Sequence, residues 1–85
     1  MVRLRKRIAR IRRNPRNVPW QELVSVCDAL FGEPTRIAGS HRIYDVRWSE
    51  SRILVLQPHG ASAKPYQVRQ VLKAIEELEA RNGHM

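Results

Sequence analysis

At 85 residues the chain holds one compact unit with a short extension, and two independent cores are excluded. A composition 42% hydrophobic and 28% charged suits a globular chain, although a unit this small buries only about 60% of its unfolded surface, so every stabilising contact weighs heavily. The net charge of +8 resides wholly in the first sixteen residues, where Arg3, Arg5, Lys6, Arg7, Arg10, Arg12, Arg13 and Arg16 meet no acid; from Asn17 onward eight cations face eight anions.

The chain therefore divides into a basic arm, residues 1–16, and a balanced domain, residues 17–82. Such a leader seeks a polyanion: nucleic acid, an acidic protein or an anionic membrane surface. It shares arginine richness and acid poverty with organellar transit peptides but lacks their serines. One cysteine, Cys27, excludes an internal disulfide, and no apolar run approaches the roughly 18 residues of a membrane span or the 7 to 15 of a signal-peptide core. A cytoplasmic chain without a membrane partner is the expectation.

Within the leader, Leu4, Ile8 and Ile11 recur at spacings of four and three, an apolar stripe on a cationic helix that stops before Asn14-Pro15. Two readings stand: a solvated, frayed extension, or an arm that contacts phosphates. Pro19 is placed like a first-turn helix proline, and Trp20, Leu23, Val24, Cys27, Leu30 and Phe31 then follow the helical period to Gly32, a left-handed cap. Cys27 falls inside this stripe and reads as core filler.

Pro34 to Ala38 reads as a short strand. After Gly39-Ser40 the alternation sends Tyr44, Val46 and Trp48 to the core, with Arg42 on their side and His41, Ile43, Asp45 and Arg47 on the other. Ser49-Glu50-Ser51 forms a three-residue turn into the returning strand Arg52 to Gln57, which Pro58-His59-Gly60 closes. Ala61 to Ala63 reads as a loop. Pro65 opens a helix that buries Val68, Val71, Leu72, Ile75 and Leu78, wets Glu76, Glu77 and Glu79, and frays near Asn82-Gly83, leaving His84-Met85 loose. The order predicts an α+β fold, three antiparallel strands with helices on one face, plus the arginine-rich arm or helix.

With a three-residue turn Trp48 pairs with Arg52, Val46 with Leu54, Tyr44 with Leu56 and, at the open end, His41 with His59. Opposed residues hold their Cβ atoms roughly 4.5 to 5.5 Å apart, so the two imidazoles become neighbours on the uncovered face. Histidine titrates near neutrality, and RNA carries an internal nucleophile in its 2′-hydroxyl. A base that takes that proton, with cations steadying the phosphorane, cleaves the strand without metal or cofactor. The competing reading makes each histidine an ordinary surface residue. His41, His59, Cys27 and His84 show no paired-ligand spacing, so no metal site is expected.

Gly39-Ser40-His41-Arg42-Ile43-Tyr44, followed by the strand end Leu56-Gln57-Pro58-His59 and the helix from Lys64 to Leu78, resembles the HicA toxins of bacterial and archaeal toxin–antitoxin pairs, over about Trp20 to Glu79. The resemblance implies a double-stranded-RNA-binding-domain-like fold, metal-independent mRNA cleavage with His41 as catalytic residue, and neutralisation by a HicB-like antitoxin that covers the active face. It makes Gly39 and Ser40 members of the site and matches Pro58-His59 to the family's proline-histidine strand end. Two details depart from the family pattern: Phe31 precedes Gly32 where glycine usually comes first, and Lys64-Pro65-Tyr66 stands where a glycine is common.

The combined expectation is an mRNA endoribonuclease acting through His41, with His59 as proton donor or substrate contact and Gly39, Ser40, Arg42, Lys64, Arg69, Arg10 and Arg13 holding RNA. A non-catalytic RNA-binding module of the same fold is the alternative. A third reading is a scaffold whose leader docks on an acidic partner or a membrane surface.

Overall fold

The computed structural model describes residues 2–82, so the expected loose end at His84-Met85 lies outside the described residues. Three helices and two small antiparallel sheets make up an α+β fold: α1 (Val2–Arg13), α2 (Trp20–Phe31), β1 (Arg36–Ala38), β2 (His41–Val46), β3 (Arg52–Leu56), β4 (Pro58–His59), β5 (Ser62–Ala63) and α3 (Pro65–Asn82). The main sheet has the order β1-β2-β3, and β4 pairs with β5 in a separate two-stranded ladder.

The leader forms α1, and its apolar stripe has a destination. Ile8 and Ile11, 5% and 2% exposed, belong to the same core as Leu23, Val26, Cys27, Tyr44 and Ile75, with Leu4 packed beside them. The leader helix α1 therefore shares the core of the following unit through Ile8 and Ile11, because two β-branched side chains cannot stay in water cheaply when a partner surface is available. Around this seam Arg7 donates to the Ser25 hydroxyl at 2.8 Å, Arg10 lies 3.4 Å from Glu22, and Arg12 reaches Glu79 at 3.2 Å. The acids of α2 and α3 thus take up part of the leader's charge.

Pro15 ends α1 by disfavouring helical geometry in the residue before it. Pro19 lies just outside α2, extended at φ −61° and ψ 139°, while its carbonyl accepts the first helical bonds from Glu22 and Leu23. It stays extended because β5 holds it: Pro19 bridges Ser62, Trp20 N–H donates to Ala61 at 2.9 Å, and Ala63 N–H donates to Val18 at 2.8 Å. Of the stretch expected as a loop, Ala61 to Ala63, the last two residues are in this way a strand that anchors the start of α2.

In the main sheet Tyr44, Val46, Leu54 and Leu56 are buried under α2 and α3, as the alternation requires. Edge-on contacts of Phe31 with Tyr44 and tilted contacts with Trp48 seal this layer. The opposite face, carrying His41, Ile43, Asp45, Ile53 and Val55, has none of the described helices over it. Register differs from expectation by two residues: Val46 pairs with Arg52, Tyr44 with Leu54 and Arg42 with Leu56.

The shift has a physical cause. Trp48 leaves the ladder to donate its indole N–H to the Ala74 carbonyl at 3.0 Å, and the Ser49 hydroxyl donates to Glu77. Both bonds pull the connection onto α3 and lengthen it to residues 47–51, with Arg52 closing it in the left-handed region at φ 66°. A slip of two preserves every side chain's face. None of the described helices is long and apolar enough to cross a membrane.

Candidate functional site

Gly39 and Ser40 are the two residues of the turn between β1 and β2. Gly39 has φ +62°, the geometry that the first position of a type II′ hairpin turn demands and that side chains resist. The tight turn fixes His41 as the first residue of β2, opposite Ala38, half-buried and directed to the uncovered face. On that face Ile43 follows, flanked by Arg36 on β1 and Val55 on β3, which are its register partners.

Arg36 was not among the residues singled out from the sequence. It stands on the diagonal of His41, two residues from Ala38, where Cβ separations are roughly 7–8 Å and a long side chain spans the gap. The signal was present: a two-residue turn at Gly39-Ser40 pairs Ala38 with His41 and so sets Arg36 beside Ile43 on the histidine's face.

The expected pairing of His41 with His59 does not form. The ladder between β2 and β3 ends at Arg42 and Leu56, the Gln57 N–H donates to Gln67 Oε1 at 3.0 Å, and Pro58 has no N–H to continue pairing. The chain thus departs toward β4, where exposed His59 faces Ser62 in the second sheet.

Arg42 shares the helix-side face with Tyr44. Its Nε donates to the Tyr44 oxygen at 3.3 Å and its Nη2 lies 3.6 Å from Asp28, while the Tyr44 hydroxyl donates to Asp28 at 2.6 Å. The triad satisfies a buried phenol and ties β2 to α2. Burial and the bond to Asp28 push the Tyr44 pKa up, and the bond to Tyr44, with help from the Asp28 charge, raises that of Arg42. Burial, then the neighbouring Asp28 charge, push the Cys27 thiol up, which makes it inert filler.

The remaining expected RNA contacts are spread over other surfaces. Lys64 precedes α3, and its carbonyl accepts bonds from Gln67 and Val68 at 3.0 Å; Arg69 is exposed on α3. Arg10 and Arg13 lie on α1. Since α1 packs against α2 and α3, the cations of α1 and α3 lie on the helical side of the main sheet, opposite His41, while Lys64 follows the second sheet. The structure brings together His41, Gly39, Ser40 and Arg36, and does not bring Arg42, His59, Lys64, Arg69, Arg10 or Arg13 onto that face. Among the described residues no three His, Cys, Asp or Glu side chains gather as a metal site would need.

What the face offers chemically is one accessible imidazole, a guanidinium within reach of the same ligand, a hydroxyl at Ser40 and exposed apolar ground at Ile53 and Val55, 54% and 41% exposed. No family model, no curated protein and no solved structure matches the chain.

Proposed function

We propose that the protein is an mRNA endoribonuclease of the HicA toxin type, acting in the cytoplasm without a metal, with His41 as its general base. The observation that carries the reading is the placement of His41 on the uncovered sheet face immediately after the Gly39-Ser40 turn, in the sequence string that resembles the HicA motif. His41 takes the proton of a ribose 2′-hydroxyl, and the freed oxygen attacks the adjacent phosphorus. The bond from phosphorus to the 5′-oxygen breaks, that oxygen leaves with a proton from solvent, and a 2′,3′-cyclic phosphate remains. Arg36 balances the charge that builds on the phosphorane oxygens. Ile53 and Val55 on the same face give a HicB-like antitoxin an apolar seat beside His41.

Removing a positioned base costs about 10²- to 10⁴-fold in rate. Induced expression of the wild type is expected to halt growth and fragment mRNA, while His41→Ala folds and is harmless. The purified protein should cleave RNA in the presence of chelator and leave a strand with deoxyribose at the scissile position intact. An alanine variant that cleaves within about tenfold of wild type refutes the mechanism.

One observation favours the second reading, a non-catalytic RNA-binding module: the two imidazoles lie in separate sheets, so no acid and base pair is built. That reading expects salt-sensitive RNA binding with no cleaved product.

A further inference from the structure

The cations of α1 divide by what they face. Arg7, Arg10 and Arg12 turn to Ser25, Glu22 and Glu79, while Ile8 and Ile11 enter the core. Lys6 and Arg13, seven residues apart, project within about 20° of one another around the helix and about 10 Å apart along it. Ala9 lies between them on the same exposed strip, and Arg16, also exposed, stands three residues past the helix end. The Arg12–Glu79 pair, part-exposed on both sides, contributes little stability. Burial of Ile8 and Ile11 is what makes the strip a rigid ridge rather than a loose arm.

We infer that this ridge is a docking surface for double-stranded RNA, separate from the His41 face. The choice of RNA over DNA rests on the ribonuclease reading; the choice of a duplex does not. Proteins that grip single strands set aromatic platforms along a basic groove, and α1 (VRLRKRIARIRR) has no aromatic residue and presents a convex strip. Cations without base-reading partners address phosphates, independently of sequence, and Ala9 at the centre lets the backbone come close. Duplex RNA is recognised in this manner, by shape and backbone. α1 packs on the helical side of the main sheet and His41 faces the other side, so a phosphate on α1 and a ribose at His41 belong to different nucleotides. A transcript held through a stem on α1 leaves its unpaired segments free to reach His41.

The test uses the full chain carrying His41→Ala, so that binding is read without cleavage and stands apart from the catalytic reading. Labelled 20-base-pair RNA, the same length of single-stranded RNA and the corresponding DNA duplex are titrated between 50 and 200 mM salt. Three phosphate contacts give a slope of about −2.7 in log affinity against log salt, a loss of about 40-fold across that range. Lys6→Gln with Arg13→Gln, which keeps helix propensity, should bring the slope near −0.9 and the loss to about 3.5-fold, with circular dichroism unchanged. Arg16→Gln, outside the helix, should remove about 0.9 from the slope without touching α1. Duplex RNA should bind more tightly than either competitor. An unaltered salt dependence in these variants, or single-stranded RNA or duplex DNA binding as tightly as duplex RNA, overturns the inference.

Discussion

Replacing Ile11 by alanine measures how firmly the basic leader belongs to the core. Ile11 is 2% exposed and sits in one cluster with side chains from α2, the main sheet and α3. Truncating a buried isoleucine to alanine costs about 2–5 kcal/mol, the lost transfer free energy plus the cavity left behind. A domain of this length has a total stability of about 4–13 kcal/mol, so the loss is a large share of the whole. Urea unfolding followed by the fluorescence of Trp20 and Trp48 reads it directly. With slopes of about 1–3 kcal/mol/M, the midpoint should fall by about 0.7–5 M with the slope unchanged. Lys6→Gln, on the exposed side of the same helix, is the control and should move stability by less than about 0.5 kcal/mol. A loss below about 1 kcal/mol for Ile11→Ala would refute the packing of α1 and return residues 1–16 to a detachable arm.

Two further outcomes test the local chemistry. Cys27 and Tyr44 both hold their protons more tightly folded than unfolded, above ordinary values of 9.0 and 10.0. Their contribution is complete below those values and is lost as pH rises, because the unfolded chain ionises first; stability should decline from about pH 9, by about 1.4 kcal/mol per pH unit for the thiol. Urea midpoints at pH 8 and pH 11 check the decline, and folded protein at pH 8 should leave Cys27 unreactive to a thiol reagent. Arg52→Gly should stabilise the protein by about 1 kcal/mol in the same unfolding assay, since Arg52 sits at φ 66°, where a side chain is strained; a destabilised variant would show that its side chain makes a contact worth more than the strain.

Periodicity by itself determined the three helices, the burial of Tyr44, Val46, Val68, Val71 and Ile75, and the turn at Gly39-Ser40 that sends His41 to the uncovered face. Those features depend on neighbours within a few residues, where spacing and glycine geometry dominate. Register was invisible to the same reasoning, because side chains repeat their faces every second residue and a slip of two leaves the burial pattern untouched. It took bonds from Trp48 to Ala74 and from Ser49 to Glu77, 26 and 28 residues away in the chain, to choose it. With that choice His59 moved to a second sheet, whereas Arg36 owes its place near His41 to the Gly39-Ser40 turn alone. The leader shows the same division: its stripe of Leu4, Ile8 and Ile11 announced a helix, but only the apolar seam between α2 and α3 made that helix part of the core.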